Sequence, residues 1–176
     1  LKNKINKNIY VLFFIFFFGI MSGLPFLLIL STLNLWLLEI GFDKIQIGFF
    51  SLATIPYSFK FLFGPYIDYV KIPFLFFFFG QKRSWLILSQ TLLIFSILFL
   101  SLNNSYDNFF YSFFFVFLIG FFSAMQDVIL EAYKIELLKI YKIEFGFGSM
   151  LFVLGYRFGM LISGPGALYF SFCYGS

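Results

Sequence analysis

The stretch FFYSFFFVFLIGFFSAMQDVILEAYKIELL, residues 109–138, decides the fold class. It opens with an apolar run long enough to enter a bilayer as a helix, because about 20 mostly apolar residues cross the hydrocarbon core. Asp127 then follows within the same run, although a carboxylate near the bilayer centre costs roughly 2.5–3.5 kcal/mol on insertion scales. The stretch therefore predicts a membrane-spanning helix in which Asp127 has a role that spanning alone does not require.

The composition of the whole chain agrees with a membrane protein. Of its 176 residues, 61% are hydrophobic and 11% are charged, whereas soluble domains carry about 25% charged residues. Mean hydropathy is +0.96, and Phe alone supplies 33 residues. A soluble fold cannot hide that much apolar surface, so the lipid bilayer is the first predicted partner.

Five segments are long and apolar enough to cross a bilayer, and they predict an all-α, multi-pass transmembrane helix bundle. They cover residues 9–33, 45–67, 85–102, 109–130 and 146–170. The fourth helix is open to extension past Lys134. Turn-forming residues separate spans at Gly41-Phe42-Asp43 and at Asn103-Asn104-Ser105, where Gly, Asn, Asp and Ser favour turns.

Basic residues divide unequally between the two sides of the predicted bundle. One side carries nine, namely Lys2, Lys4, Lys7, Lys71, Lys82, Arg83, Lys134, Lys139 and Lys142. The other side carries only Lys44. The positive-inside rule then places the N-terminus in the cytoplasm, and five crossings place the C-terminus outside. The lysines are thus explained by topology, which argues against a nucleic-acid partner.

Several kinds of chemistry have no support in the sequence. The chain has no His and a single Cys, Cys173, so no internal disulfide, no metal site and no cofactor are predicted. No nucleophile–base pair is recognisable either. The sequence therefore does not predict an enzyme.

One face of the fourth predicted helix combines small and acidic residues. Asp127 and Glu131 are four residues apart and share a face, which Gly120 and Ala124 continue. Small residues let another helix approach closely, or leave room for a ligand. Gln126, about 100° around the helix, offers both a hydrogen-bond donor and an acceptor for a polar solute.

Two cations lie inside predicted spans. Lys60 is about seven residues from the cytoplasmic end of the second helix, so it either reaches the interface by snorkelling or lines a cavity opposite an acid. Arg157 lies deeper and cannot lose its charge, so it forms a structural ion pair or binds an anion. Either cation could pair structurally with Asp127, and depth favours Lys60.

Glycines mark two further helix faces. Gly19 and Gly23 lie four apart in the first helix, as do Gly155, Gly159 and Ser163 in the fifth. Small residues at this spacing favour tight helix packing.

The loop between the second and third helices carries residues that could form a clamp between those helices. Gly64 and Asp68 open it, and Gly80, Lys82 and Arg83 close it. An acid facing a basic cluster can form a charge-assisted clamp that holds two helices in one conformation and releases them in another. The alternative is an ordinary positively charged cytoplasmic loop.

Five motifs together resemble one family of membrane proteins. They are GIMSGLPFLL (19–28), IGFFSLATIPYSFKFLFGPYID (47–68), GQKRSWLILSQ (80–90), SAMQDVILEAYKIELL (123–138) and LGYRFGMLISG (154–164). In these motifs the chain is similar to the AmpG-type muropeptide permeases of the major facilitator superfamily. The similarity runs from about residue 17 to residue 169. It is sharpest in the Gln126-Asp127 pair and in the run over residues 155–161.

The resemblance implies a proton-driven importer in the bacterial inner membrane. Its substrates would be cell-wall breakdown products, namely N-acetylglucosaminyl-anhydro-N-acetylmuramic acid and its peptide-bearing forms. Eukaryotic acetyl-CoA transporters share much of the pattern and are the alternative relatives. The resemblance also implies that Gly23 lies at a bend of the first helix, and that Lys60, Ala124, Gln126, Asp127 and Arg157 lie near the cavity. Asp127, with Glu131 second, would be the proton-sensitive carboxylate.

The chain also departs from the family pattern. The family has two six-helix halves with the transport site between them, whereas the five predicted helices correspond to part of the N-terminal half. Pro165 stands where the family usually has a small residue, and GALYFSFCYGS (166–176) drifts from the pattern. We therefore expect a truncated permease that works with a second chain supplying the missing half, or a non-transporting remnant of a decayed permease gene.

Overall fold

The structure is a computed structural model that describes residues 2–102 and 109–174. Within these ranges the chain forms helices and short connections, with no β-strand, so the predicted all-α class is confirmed. The turn predicted at Asn103-Asn104-Ser105 lies outside the described residues.

The first span is a long helix with a π-helical turn inside it. α1 (Lys2–Leu27) leads into a π-helical turn at Leu28–Thr32, and α2 (Leu33–Ile40) follows. Pro25 lies in the last turn of α1, where it cannot donate a hydrogen bond to the carbonyl four residues earlier. A widened turn next to such a proline is a common irregularity of helices. The apolar span covers Lys7–Glu39, which is longer than the 9–33 predicted.

The turn predicted at Gly41-Phe42-Asp43 separates the first two spans. Gly41 ends α2 in the left-handed conformation, with φ of 96°, which glycine adopts without steric cost. α3 (Lys44–Phe50) begins directly after Asp43, whose backbone N–H donates to Oε1 of Gln46 at 3.1 Å.

The second span is broken, where a single helix over 45–67 was predicted. α3 continues into a 3₁₀ turn at Ser51–Thr54 and α4 (Ile55–Ser58), and α5 (Lys60–Tyr69) follows after a break at Phe59. The two halves are bent by 49°. Pro56 stands in the first turn of α4 and Pro65 inside α5, and a segment with two prolines does not form one straight helix.

The remaining helices complete the chain. α6 (Pro73–Phe79), which was not predicted, occupies the loop before α7 (Gln81–Leu102). α8 (Phe109–Tyr141) has 33 residues, so the extension past Lys134, rather than an end at residue 130, is what the structure shows. α9 (Phe145–Leu161) passes through a π-helical turn at Ile162–Gly166, which contains Pro165, into α10 (Ala167–Tyr174).

The described helices are those of a membrane protein. Within residues 2–102 and 109–174, four helices are long and apolar enough to cross a bilayer, or five if the bent second span counts as one. Large apolar side chains on their outer faces are exposed, among them Phe13, Phe61, Phe95 and Phe158. Extensive apolar faces of this kind mark contact with lipid or with another protein surface.

The chain divides into two compact units. One comprises Leu28–Ile129, and the other combines Leu1–Leu27 with Leu130–Ser176. In the Leu28–Ile129 unit, one apolar cluster contains Leu37, Phe50, Ala53 and Val116. A second cluster contains Ile67, Trp85, Met125 and Ile129.

In the other unit, α1 and α9 cross at their glycines. A Cβ on Gly155 would meet the carbonyl oxygen of Phe16 and lie 3.2 Å from Cα of Gly19, and a Cβ on Gly159 would lie 2.5 Å from the carbonyl oxygen of Ile20. The backbones can approach so closely only because these side chains are absent. The predicted tight packing on the glycine faces is thus what the structure shows.

Candidate functional site

The site is built around an ion pair between the second span and α8. Nζ of Lys60 lies 3.2 Å from Oδ2 of Asp127, so one of the two predicted pairings of Asp127 is formed. The two side chains differ in environment, because that of Lys60 is 42% exposed and that of Asp127 only 8%. Lys60 is the first residue of α5, directly after the break.

A second polar contact joins the same elements one helical turn away. The hydroxyl groups of Tyr57 and Ser123 lie 2.5 Å apart. Ser123 precedes Asp127 by four residues, so the two residues share one face of α8, and Tyr57 and Lys60 meet that face from either side of the break. The break at Phe59 falls between Tyr57 and Lys60. Sequence reasoning missed Tyr57 and Ser123, because the spacing of residues along one helix does not reveal which residue of another helix they meet.

Small residues on α8 bring the second span close enough for these contacts. A Cβ on Gly120 would meet the carbonyl oxygen of Ala53, in the 3₁₀ turn of the second span. Ala124 is fully buried. Of the two predicted uses for the small residues, the approach of another helix is what the structure shows at Gly120.

The other predicted site residues have different surroundings. Gln126 is buried, with 5% of its surface exposed, and Glu131 is half-buried. Arg157 lies on an exposed face of α9, so its predicted role stays a prediction. Gly23 is buried within α1, where a Cβ would meet the carbonyl oxygen of Tyr156, and the π-helical turn begins five residues later.

Side chains of α7 donate to three backbone carbonyls in the loop between the second and third spans. Nε2 of Gln81 donates to the carbonyl oxygens of Ile67, at 2.8 Å, and Asp68, at 2.5 Å. The indole N–H of Trp85 donates to the carbonyl oxygen of Val70 at 2.9 Å. These bonds satisfy carbonyl groups at the end of α5, which lack partners within the helix. Gln81 and Trp85 thus tie the start of α7 to the end of α5.

The five residues predicted to form a clamp lie around this connection. Gly80 adopts a φ of +80°, which favours glycine, whereas a Cβ on Gly64 would meet nothing within 4 Å. The Asp68 side chain and Arg83 are exposed, and Lys82 is half-buried. The contact that Asp68 makes with Gln81 uses its backbone carbonyl, so the charge-based clamp stays a prediction.

The geometry around Asp127 defines what the site can do chemically. Burial makes an uncompensated carboxylate costly, and the ammonium group of Lys60 offsets that cost. Protonation of the carboxylate would remove the attraction that holds Lys60 in place. Within residues 2–102 and 109–174, no group of three or more His, Cys, Asp and Glu residues is placed to hold a metal ion.

Apolar spans, exposed aromatic faces and a polar contact between helices define a multi-pass α-helical membrane protein. Comparison with known proteins specifies its relatives. The chain is 41% identical over 157 residues to "Putative transporter AmpG 1" of Rickettsia bellii, covering 89% of this chain and 38% of that protein. It is 40% identical over 169 residues to "Putative transporter AmpG 4" of Rickettsia felis, covering 96% of this chain and 40% of that protein.

These matches confirm the resemblance found in the helix motifs, and the chain is a homologue of the AmpG-named proteins. A third relative, "Putative transporter AmpG 1" of Rickettsia prowazekii, is 38% identical over 94% of this chain. The chain spans 36% to 40% of the length of these three relatives. No protein-family model matches the chain, and no solved structure matches it.

Proposed function

We propose that the chain forms part of a proton-coupled importer of anhydromuropeptides in the bacterial inner membrane. The AmpG-named relatives support a membrane transporter. The observation that carries the proposal is the contact between Lys60 and the buried Asp127 inside the apolar spans. Ionisable residues buried within transmembrane segments commonly mark proton or substrate pathways.

In the proposed mechanism, Asp127 takes up and releases the transported proton. The neutral acid no longer attracts Lys60, so the ammonium group becomes free to bind a carboxylate of the substrate. The Tyr57–Ser123 contact needs no charge and persists, so the part of the second span before the break stays on α8. Movement is then concentrated in α5, beyond Phe59. Glu131 is the alternative proton acceptor.

The same proposal includes the orientation of the chain in the membrane and the second half of the transporter, which forms the opposite side of the site. Nine basic residues on one predicted side support a cytoplasmic N-terminus. Alternating access requires two halves that open in turn around one site. We therefore propose that this chain contributes helices of the N-terminal half of a major facilitator fold. The opposing half comes from further sequence or from a second chain.

A chimera tests the proposal in a full-length context. The 157 matched residues of the R. bellii relative are replaced by the corresponding residues of this chain, and the chimera is produced in a host that lacks its own muropeptide permease. Uptake of labelled N-acetylglucosaminyl-anhydro-N-acetylmuramic acid is measured with and without a protonophore. The isolated chain and the intact relative are assayed in parallel.

We expect the chimera to accumulate the label, and the protonophore to abolish accumulation. Asp127→Asn in the chimera should remove the proton dependence, whereas Glu39→Gln, which alters an exposed acid on α2, should not. A chimera that reaches the membrane and takes up no muropeptide would contradict the proposal. Uptake of labelled acetyl-CoA instead would also contradict it and would favour the acetyl-CoA transporters as functional relatives.

A further inference from the structure

An apolar groove runs along the Leu28–Ile129 unit, away from the Lys60–Asp127 contact. Its volume is about 390 Å³. α5 and α7 form its walls and α8 its floor. Its lining includes Leu62 and Tyr66 on α5, Trp85 and Leu88 on α7, and Phe122 and Met125 on α8.

Trp85 lines one end of the groove. Its indole N–H donates to the carbonyl oxygen of Val70 at 2.9 Å, and its ring centroid lies 5.6 Å from that of Tyr66 in an edge-to-face arrangement. Trp85 is itself buried, with 6% of its surface exposed. Both the indole N–H and the ring of Trp85 are therefore in contact with neighbouring residues, which fixes this side chain in the groove wall. Trp and Tyr also favour the level of the lipid headgroups.

Positive charge gathers at the same end. Lys82 precedes Trp85 by three residues and shares its side of α7, and Arg83 is the next residue. Lys71 follows Val70, the partner of the indole N–H. Asp68 is the one acid in the connection over residues 68–84, so this end of the groove carries an excess of positive charge.

We propose that the groove binds an anionic phospholipid, with one acyl chain between α5 and α7 and the phosphate at Lys71, Lys82 and Arg83. An apolar channel that ends in cations matches a molecule with an apolar chain and an anionic head. Basic pockets between transmembrane helices bind anionic headgroups in this manner. A helix of another protein would be matched by the apolar walls alone, and the cations would have no role in its binding.

Tryptophan fluorescence tests the proposal directly, because Trp36 and Trp85 are the two tryptophans of the chain. Trp36→Phe leaves Trp85 as the reporter in the groove, and Trp85→Phe leaves Trp36, which is 39% exposed on α2. The full chain is reconstituted in phosphatidylcholine vesicles with a minor fraction of lipid brominated on its acyl chains. The brominated lipid is phosphatidylglycerol in one series and phosphatidylcholine in the other.

We expect brominated phosphatidylglycerol to quench Trp85 several-fold more than brominated phosphatidylcholine at the same fraction, and Trp36 to be quenched equally by both. The double variant Lys82→Gln with Arg83→Gln should bring the quenching of Trp85 by phosphatidylglycerol down close to that by phosphatidylcholine, because it removes two of the three cations proposed to bind the headgroup. A control with the same loss of charge, Lys44→Gln with Lys139→Gln, should keep the preference. Leu88→Phe, which fills the groove, should reduce quenching of Trp85 by phosphatidylglycerol.

Two outcomes would overturn the proposal. Equal quenching of Trp85 by the two lipids would mean that ordinary surrounding lipid, or a protein partner, covers the groove. A preference that survives the Lys82 and Arg83 changes would mean that those cations do not bind the headgroup. Circular dichroism of each variant establishes that its helices are intact, and neither result depends on transport.

Discussion

The glycine crossing between α1 and α9 leads to a sharp prediction about stability. Gly155→Ala places a methyl group against the carbonyl oxygen of Phe16 and 3.2 Å from Cα of Gly19. Both neighbours are backbone atoms, so no side-chain rotation can relieve the contact. The two helices must instead move apart, and the close packing along the whole crossing weakens.

The magnitude can be estimated with a control in the same helix. Overpacking of this kind costs about 1–3 kcal/mol. Replacing glycine by alanine within a helix gains about 0.5–1 kcal/mol. Gly146→Ala in α9 shares part of that gain, but its Cβ would have only a side-chain oxygen of Glu144 nearby, at 3.9 Å. We therefore expect Gly155→Ala to be less stable than Gly146→Ala by about 1–3 kcal/mol.

The assay is reversible unfolding of the purified chain in mixed micelles with increasing dodecyl sulfate, followed by circular dichroism. The double variant Gly155→Ala with Gly159→Ala adds a second criterion. Once one methyl group has separated the helices, the second should cost less, so the double variant should be less destabilised than the sum of the single ones. If the free energies of unfolding of Gly155→Ala and Gly146→Ala agree within about 0.5 kcal/mol, the close approach of the α1 and α9 backbones is not a determinant of stability.

Four further predictions concern the site, the loop and the topology. Lys60→Met should destabilise the chain by about 3 kcal/mol, because it deprives a buried carboxylate of its cation. Asp127→Asn should cost only about 1 kcal/mol, because the half-exposed ammonium group of Lys60 can reach water. If Asp127→Asn cost more than Lys60→Met in the same unfolding assay, the argument from the burial of Asp127 would be contradicted. Tyr57→Phe should cost about 1 kcal/mol and leave proton dependence unchanged in the uptake assay, and a loss of coupling would give that hydroxyl a role in proton transfer. Gln81→Leu removes two bonds to carbonyls at the end of α5, so hydrogen exchange of that helix end should accelerate by at least about fivefold, and unchanged exchange would show that these bonds do not hold the helix end. Cys173, the only cysteine of the chain and exposed, should react with a membrane-impermeant maleimide added outside intact spheroplasts, and labelling only after lysis would reverse the proposed orientation.

The sequence predicted the helices and the chemistry of α8 better than the contacts between helices. The helical repeat places Asp127 and Glu131 on one face of α8. It likewise places the glycines that are four residues apart on one face of α1 and on one face of α9. It does not reveal that Gly155 would meet Phe16, because the register of one helix against another depends on the packing of both. For the same reason the Tyr57–Ser123 contact was not predicted.

The break in the second span shows a different limit of sequence reasoning. Pro56 and Pro65 indicate an irregular helix, but the helix is interrupted at Phe59, which lies between them. That position coincides with the two contacts to α8, which hold the segments on either side. The bend is therefore set by tertiary contacts as well as by proline.

Under the proposed mechanism, the length of α8 bears on which compartment would exchange protons with Asp127. At 1.5 Å per residue, its 33 residues extend about 50 Å, well beyond a hydrocarbon layer of about 30 Å. If Phe109 stands at one edge of that layer, Asp127 lies about 27 Å further along, close to the opposite edge. Lys134 and Lys139 then reach the headgroups and the water beyond. In the proposed orientation, water from the cytoplasm has the shorter path to Asp127, so proton release to the cytoplasm needs a smaller opening than proton entry from outside.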